Sequence, residues 1–235
     1  MNSLVIIPTY NEIENIEAII TAVFEVSKAV EILVVDDNSP DGTGQKVLEL
    51  IPLVKGQLHL LQRPMKQGLG RAYLAGFSWA LEHNYFAVIQ MDADFSHDPK
   101  EIPQMLTQLK DDHMVVGSRY IKGVNVVNWP IGRILLSYGA SFYVRWVTAM
   151  PIKDPTAGFN AIRTEVLEHL PFEQLKFIGY AFQIEIKYWV WKSAYRISEI
   201  PIVFTNREKG VSKMQGNIIW EALYGVLYLR WFKKY

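Results

Sequence analysis

The first 120 residues alternate between short apolar runs and longer segments with the spacing of amphipathic helices. The apolar runs predict buried strands at residues 3–8, 31–37, 57–62, 85–91 and 113–120. The segments between them predict helices at residues 12–29, within 39–51, at 68–83 and near 99–110. Regular alternation of strands and helices is typical of βαβ units. The sequence therefore predicts an α/β fold whose mostly parallel sheet is flanked by helices on both faces.

The pattern changes after Tyr120, where aromatic residues become frequent. Helical spacing predicts helices at 130–150 and 180–193, and an apolar run predicts a strand at 195–204. A polar loop then leads into a last helix rich in Trp, Tyr and Leu. Because no repeat, low-complexity tract or linker interrupts the chain, we expect one domain over residues 1–235 with a C-terminal elaboration.

Composition excludes several classes of protein. Lys plus Arg and Asp plus Glu number 24 each, so no overall positive field points to nucleic acid. The absence of cysteine excludes disulfides, thiolate metal sites and a cysteine nucleophile. The N-terminal residues lack the basic and apolar regions of a signal peptide, and no run reaches the roughly 18 apolar residues of a spanning helix. We therefore expect a chain that does not cross a membrane.

Two carboxylates, Asp92 and Asp94, follow the fourth predicted strand. In an extended segment, residues i and i+2 face the same way, so the two side chains can converge on one point. Such a pair remains ionised at low cost when a divalent cation lies between it and a phosphate, and oxygen ligands suit Mg²⁺ or Mn²⁺. The alternative is a turn or a helix cap, because "SHDP" has the pattern of a helix start.

Polar residues also follow the first two strands, and ligands of such sheets bind beyond the carboxyl ends of the strands. Asp37 can accept hydrogen bonds from a nucleobase or ribose, and Tyr10, after the strand-ending Pro8, offers a ring for stacking on a base. Turn chemistry explains the segment around Asp37 equally well, and Tyr10 can equally be a buried tyrosine before a helix cap. "KQGLGRAYLAG" has the wrong glycine spacing for a dinucleotide fingerprint, so we expect no dinucleotide cofactor.

Three cations lie where they can reach a ligand at this edge. Arg119 ends a predicted strand, and Arg207 and Lys213 lie in a glycine-containing loop that can fold over a ligand. Guanidinium and ammonium groups stabilise the charge that develops on a diphosphate leaving group. Solvation at the surface is the alternative for each of them.

Taken in order, "IPTYNE", "VVDDNSPDGT", "GLGRAYLAGF", "MDADFSHDP", "GSRY" and "REKGVSKM" resemble motifs of the inverting GT-A glycosyltransferases. Within that group, the chain resembles the polyprenol (dolichol) phosphate mannose synthases from Leu4 to about Asn217. The resemblance implies a GT-A (Rossmann-like) fold, a divalent cation, and transfer of mannose from GDP-mannose to polyprenyl phosphate. Two alternatives stay open: transfer of a sugar such as glucose from a UDP or dTDP donor to undecaprenyl phosphate, and a non-catalytic nucleotide-binding subunit.

The resemblance also implies roles for individual residues. The guanosine would be held by Pro8, Tyr10, Glu12, Val35 and Asp37. The metal and the diphosphate would be carried by Asp92, Ala93 and Asp94, with Asp92 and Asp94 as the metal ligands. The phosphates would be gripped by Arg119, Arg207 and Lys213, which together with the two metal ligands form the catalytic set.

Three further residues complete the implied site. Arg133 and Ser137 would receive the acceptor phosphate, and Asp154 would orient an arginine or the sugar, although a turn beside Pro155 explains Asp154 as well. A phosphate monoester is already an anionic nucleophile, so no dedicated base is expected. Ser96 stands where some members have a glutamine metal ligand, and this departure affects the choice or affinity of the metal.

The resemblance divides the domain into a nucleotide-sugar-binding half, residues 1–120, and an acceptor-binding and membrane-docking half, residues 121–235. The C-terminal helices carry Trp, Tyr, Lys and Arg among aliphatic residues, as interfacial helices do. Packing in the core or at a dimer interface is the alternative. We expect a cytoplasmic protein that lies peripherally on the cytoplasmic face of a membrane, with a homodimer or a membrane subunit as open alternatives.

Overall fold

A computed structural model describes residues 2–205 and 217–231. Its central sheet has seven strands, in the order β3-β2-β1-β4-β7-β5-β8. These are β1 (Ser3–Thr9), β2 (Val30–Asp36), β3 (Leu58–Gln62), β4 (Ala87–Gln90), β5 (Met114–Ser118), β7 (Asn160–Arg163) and β8 (Ile197–Pro201). A separate parallel pair consists of β6 (Val126–Val127) and β9 (Phe204–Thr205). The predicted α/β fold with a mostly parallel sheet is confirmed.

Helices cover both faces of the sheet. They are α1 (Ile16–Val26), α2 (Thr43–Leu50), α3 (Leu69–Glu82), α4 (Ile102–Gln108), α5 (Ile131–Thr148), α6 (Thr164–Glu168), α7 (Tyr180–Lys192) and α8 (Asn217–Trp231). The core on one face joins the sheet to α3, α6 and α7, and the core on the other face joins it to α1, α2 and α4. Successive residues of β1 contribute to opposite faces, as the alternation of side chains in a strand requires.

One strand of the central sheet was not predicted from the sequence. β7 lies antiparallel between β4 and β5, with Asn160 opposite both Gln90 and Val116. Because the pairing is antiparallel, the residues just before Asn160 run beside those just after Gln90. The sheet thus combines strands from both predicted halves of the chain, and the segment 154–159 lies at the carboxyl ends of β4 and β5.

Three predicted boundaries are wrong. The strand predicted at 85–91 ends at Gln90 and residues 93–97 form a bend, so Asp92 and Asp94 do not lie on an extended strand. The helix predicted near 99–110 is a 3₁₀ turn, Pro99–Glu101, followed by α4, since Pro103 allows a helix to start anew there. The strand predicted at 195–204 is split, because β8 ends at Pro201 and Phe204 pairs with β6 instead.

A third apolar cluster joins α5, α7 and α8, and includes Val144, Val147, Ile184, Val226 and Leu229. The other side of α5 is exposed, with Ile131, Leu135, Tyr138, Phe142 and Trp146 at helical spacing. Within residues 2–205 and 217–231, no helix combines the length and the apolar character that a bilayer span requires.

Candidate active site

The loops that follow β1 and β2 are joined by side-chain hydrogen bonds. The buried Asp36 carboxylate accepts from Thr9 Oγ1 at 2.9 Å and from the Ser39 backbone N–H at 3.0 Å. Asn11 N donates to Ser39 Oγ, and Glu12 N donates to Thr43 Oγ1, each at 3.0 Å. The turn residues of "DNSPDGT" therefore hold the "PTYNE" loop in place, which is the structural role that their turn chemistry favours.

Asp37 forms a buried ion pair with Arg63, whose Nη1 donates to Asp37 Oδ1 at 2.8 Å. Arg63 Nη2 also donates to Gln67 Oε1 at 2.7 Å. Burial raises the pKa of the Asp37 carboxyl, and the Arg63 charge opposes this rise. Sequence reasoning missed Arg63, because its contact with Asp37 spans 26 residues and no motif marks it.

The other predicted guanosine residues differ in their exposure. Tyr10 is half-buried, and Lys66 Nζ lies 4.3 Å from the centroid of its ring. Pro8 pairs with Val35 across the sheet, and Val35 is fully buried in the core, so it supports Asp36 and Asp37 rather than presenting a side chain at the surface. Glu12 is half-buried and accepts from Asn15 Nδ2 at 3.1 Å.

The carboxylates of Asp92 and Asp94 lie on the bend after β4. The Asp92 side chain is 40% exposed, whereas Asp94 is 8% exposed and accepts from the Ser96 backbone N–H at 3.1 Å. Beneath them, burial raises the pKa of the Tyr73 hydroxyl, and the charges of Asp92 and Asp94 raise it further. The cap suggested by "SHDP" belongs to Asp98, which accepts from Lys100 N at 3.0 Å, so neither of the two carboxylates serves as that cap.

The imidazole of His97 lies directly behind this bend. It is 2% exposed, and its Nδ1 accepts from the Asp92 backbone N–H at 3.0 Å. Its ring stacks on Phe159 with centroids 4.9 Å apart and also meets the edge of Phe204. Burial lowers the pKa of His97, although the nearby Asp92 and Asp94 oppose this shift.

A second buried pair joins Arg119, after β5, to Asp154, before β7. Arg119 donates to the Asp154 carboxylate from its backbone N at 3.0 Å, from Nε at 2.8 Å and from Nη2 at 2.7 Å. Burial alone would raise the pKa of Asp154, but the Arg119 guanidinium outweighs it and holds this pKa below its ordinary value. Of the two partners that the sequence suggested for Asp154, the structure places an arginine beside it.

Aromatic rings surround the two arginines of this region. The Arg119 guanidinium lies 5.2 to 5.8 Å from the ring centroids of Tyr120, Trp129 and Phe204. The Arg133 guanidinium lies 4.0 Å from the centroid of Trp129. Stacked in this way, the guanidinium groups keep a defined orientation and can still donate hydrogen bonds to a phosphate.

The predicted acceptor residue Ser137 lies on α5, one turn from Arg133. Its Oγ accepts from the Tyr120 hydroxyl at 2.8 Å, which connects α5 to the end of β5. Tyr120 and Trp129 were missed in the sequence, since nothing in their local pattern separates them from core aromatics.

Behind the Arg119–Asp154 pair lies a buried lysine. Lys187 is fully buried on α7, and its Nζ donates to the Ala157 carbonyl at 2.6 Å. Burial lowers its pKa to about 7, and Asp154 and Glu199 act in the opposite direction. Glu199 in turn accepts from the backbone N of Asp154 at 2.9 Å. The segment 154–159 is therefore held by the charged side chains of Lys187 and Glu199. The sequence pattern predicted only a helix and a strand at these two positions.

The predicted phosphate-gripping residues Arg207 and Lys213 lie outside the described residues. Within the described part, the last residues before them are those of β9, where Phe204 contacts Arg119, His97 and Trp129. Phe204 thus connects the carboxylate bend to the arginine cluster, so the two predicted parts of the site are adjacent.

The residues on the bend fit a cation that is coordinated jointly by the protein and by the phosphates of a bound substrate. Among residues 2–205 and 217–231, no three His, Cys, Asp or Glu side chains are grouped as a metal centre. Mg²⁺ is commonly bound by one or two carboxylates together with substrate phosphates and water, and Asp92 and Asp94 supply those carboxylates. Ser96, in place of the glutamine of some relatives, is buried and contributes its backbone N–H to Asp94.

Residues 4–171 match the family model described as Glycosyl transferase family 2. The chain is 44% identical over 225 residues to polyprenol monophosphomannose synthase of Mycolicibacterium smegmatis, covering 95% of this chain and 85% of that protein. It is 39% identical to undecaprenyl-phosphate mannosyltransferase of Micrococcus luteus, over 98% of this chain and 94% of that protein. It is also 39% identical to dolichol-phosphate mannosyltransferase of Pyrococcus furiosus, but spans only 62% of that protein's length.

Solved structures share the fold. Glucosyl-3-phosphoglycerate synthase of Mycobacterium tuberculosis, in complex with Mn²⁺, uridine diphosphate and glucosyl-3-phosphoglycerate, superimposes with a TM-score of 0.74 over 99% of this chain and 81% of that chain. The same protein in complex with phosphoglyceric acid gives a TM-score of 0.75. Sequence identity is 16% in both cases, so these structures establish the shared architecture alone.

Proposed function

The chain belongs to glycosyl transferase family 2, and we propose that it transfers mannose from GDP-mannose to a polyprenyl phosphate, giving polyprenyl phosphate mannose and GDP. The names of the relatives at 39–44% identity support mannose as the sugar and a polyprenyl phosphate as the acceptor. The observation that carries the proposal is the adjacency of the Asp92–Asp94 bend to the Arg119–Arg133 cluster through Phe204. One part suits a metal-bound diphosphate, and the other suits an anionic acceptor.

At the donor end, the loops after β1 and β2 bind the guanosine. Tyr10 offers its ring, and the Asp37 carboxylate, held by Arg63, lies where it can accept hydrogen bonds from the nucleoside. Pro8, Glu12 and Val35 shape the same loops. The mutual hydrogen bonds of these loops mean that this part of the site is ordered before the donor binds, which reduces the entropy cost of binding.

At the diphosphate, Asp92 and Asp94, with Ala93 between them, would hold Mg²⁺ or Mn²⁺. A cation held there would supply positive charge to the departing GDP. The carboxylates must stay ionised and oriented for this, and the bend after β4 holds them at the end of the sheet. Arg119 adds a fixed positive charge, with Arg207 and Lys213 as further phosphate ligands.

The acceptor phosphate attacks the anomeric carbon of mannose, so that the C–O bond to GDP breaks as the new one forms on the opposite face, with inversion. Because the phosphate is anionic near neutral pH, no residue has to remove a proton. Arg133 and Ser137 hold this phosphate, and Asp154 keeps the Arg119 guanidinium oriented. Catalysis then rests on positioning and charge neutralisation.

We propose a peripheral position on the cytoplasmic face of a membrane, and the exposed face of α5 supports the peripheral docking. Its apolar and aromatic residues recur at helical spacing, on the same helix as Arg133 and Ser137. An interfacial helix of this kind buries its apolar face at the level of the lipid headgroups. A polyprenyl phosphate in the bilayer would then present its phosphate to the arginine cluster.

The donor is tested by incubating the purified chain with Mn²⁺ or Mg²⁺, a short polyprenyl phosphate, and GDP-mannose, UDP-glucose or UDP-N-acetylglucosamine in separate reactions. The product lipid is measured by mass. Mannolipid from GDP-mannose alone is the expected result. Product from a UDP-sugar alone would overturn the assignment of GDP-mannose as the donor. GDP binding without any product would favour a non-catalytic nucleotide-binding subunit.

Docking is tested with anionic lipid vesicles and a pair of matched variants. Trp146 on α5 is 76% exposed and Leu53, on the 3₁₀ turn after α2, is 72% exposed. Trp146→Asp should weaken vesicle co-sedimentation about tenfold, whereas Leu53→Asp should leave it unchanged. Equal binding of both variants would contradict docking through α5.

A further inference from the structure

His97 lies between two segments that the proposed reaction needs in a fixed relation. One is the bend 92–98, which carries Asp92 and Asp94. The other is the segment 154–159, which carries Asp154, the partner of Arg119. The imidazole is almost fully buried between them, so it does not contact a ligand in solvent.

On the side of the bend, His97 contacts Asp92 in two places. The Asp92 backbone N–H donates to Nδ1 at 3.0 Å, and Nε2 lies 3.9 Å from the Asp92 carboxylate oxygen Oδ2. Since Nδ1 is the acceptor, a neutral imidazole carries its proton on Nε2, with the N–H dipole on the side of the carboxylate. The ring therefore holds the Asp92 backbone by a hydrogen bond and acts on its carboxylate electrostatically across 3.9 Å.

On the other side, the ring rests on Gly158 and Phe159. Its plane is within 9° of the Phe159 ring at a centroid distance of 4.9 Å. A Cβ at Gly158 would lie 3.4 Å from His97 Cε1, an ordinary van der Waals distance, so the imidazole lies close beside Gly158. The same segment is held by Lys187 at Ala157 and by Arg119 at Asp154.

We propose that His97 is a positioning residue that fixes the Asp92 carboxylate for the cation and couples the carboxylate bend to the segment that orients Arg119. The inference rests on the proposed function, because it assigns the cation to Asp92 and Asp94. Residues that hydrogen-bond to metal ligands typically change metal affinity or activity by about 10- to 100-fold when they are replaced. His97 holds Asp92 from the interior of the protein, and its ring packs between the carboxylate bend and the segment 154–159.

Three substitutions separate the parts of this role. His97→Phe keeps a flat ring on Phe159 but removes both nitrogens. His97→Asn places an amide oxygen near the position of Nδ1 and can still accept from the Asp92 N–H, whereas His97→Gln places its polar group nearer to Nε2. His59→Phe is the matched control, because His59 pairs with Glu31 near the amino end of β2, at the opposite edge of the sheet.

The measurement is Mn²⁺ affinity in the presence of GDP, from the loss of the free Mn²⁺ signal in electron paramagnetic resonance, with the melting temperature recorded for each variant. We expect His97→Phe to weaken Mn²⁺ binding by about tenfold or more, and His97→Asn to restore most of it. His59→Phe should bind Mn²⁺ as the wild type does. A general loss of packing would lower the melting temperature without this ordering of metal affinities.

If His97→Phe fails to fold, the Asn and Gln variants still decide the matter, because only the Asn variant keeps the acceptor for Asp92 N–H. Equal Mn²⁺ affinity in the wild type and all folded His97 variants would overturn the role of His97 and leave the proposed function intact. A wild-type protein that binds GDP without any dependence on Mn²⁺ would overturn the metal assignment itself, and the His97 inference with it.

Discussion

β2 leads into Asp36 and Asp37, and β4 leads into Asp92 and Asp94, yet the surroundings of the two acid pairs differ. Asp36 and Asp37 are buried and bind Thr9, Ser39 and Arg63. Asp92 keeps two-fifths of its side chain exposed, and the backbone beneath it is held by His97. The first pair organises the protein's own loops. In the second pair, Asp92 presents its charge at the surface, whereas Asp94 is 8% exposed and accepts from the Ser96 backbone N–H.

Acidic residues at strand ends can therefore have two different roles. A carboxylate that is balanced by a buried arginine contributes mainly to the folded structure, and removing its charge leaves the arginine unpaired. On the bend after β4, Asp92 is held through its backbone and Asp94 accepts from a backbone N–H, which an amide oxygen can also do, so loss of their charge should affect cation binding more than folding. Substitutions of the two pairs should therefore affect different quantities.

The largest effect is expected at Asp94. Asp94→Asn keeps the size of the side chain but removes a charge that the cation needs, so kcat for mannose transfer should fall about 100-fold or more. Because the Asn oxygen can still accept from the Ser96 backbone N–H, the melting temperature should stay within about 2 °C of the wild type. Asp98→Asn is the control, because Asp98 lies on the same bend and Asn also caps helices well. Comparable activity losses in both variants would show that any loss of charge on this bend is enough.

The next effect is expected at Asp37, and it should be on stability. Asp37→Asn leaves Arg63 buried without its ion-pair partner, so the free energy of unfolding should fall by about 3 kcal/mol, as measured by urea denaturation. The double variant Asp37→Asn with Arg63→Met should lose less than the sum of the single variants. Strict additivity would mean that the pair does not couple, and would remove the distinction between the two acid pairs.

Much of this fold could be predicted because its signals are local. The apolar runs of β1, β2 and β5 and the periodicity of α1 and α3 are each visible within a short window of sequence. β7 could not be found in this way, since it has four residues, begins with Asn160 and ends with Arg163. Its place in the sheet depends on pairing with β4 and β5, which lie far away in the sequence.

In the candidate site too, residues with a local sequence signal could be predicted, and residues that depend on distant contacts could not. Asp92, Asp94, Asp37 and Arg119 could be selected because each lies at the carboxyl end of a predicted strand or just after it. Arg63, the partner of Asp37, could not be selected, because their contact spans 26 residues. Asp154 was predicted to orient an arginine or the sugar, but Arg119 could not be identified as its partner, because their contact spans 35 residues. Lys187 was hidden for a further reason: a lysine in a helix is usually at the surface, and only tertiary packing on α7 buries it.

The smallest effect is expected at Lys187, where the two regions differ in their buried cation. Arg63 lies buried beside Asp37, whereas Lys187 lies among Asp154, Arg119 and Glu199, and burial lowers its pKa from 10.5 to about 7. Between these two pKa values the unfolded chain binds a proton that the folded chain has lost, so the unfolding free energy should rise with pH above 7 by about 1 kcal/mol per pH unit. Lys187→Met lacks this pH-dependent contribution. In urea titrations, its unfolding free energy relative to that of the wild type should therefore fall as the pH rises from 7 to 9. Parallel pH profiles for the two proteins would mean that Lys187 stays charged in the folded state and that its burial does not displace the proton.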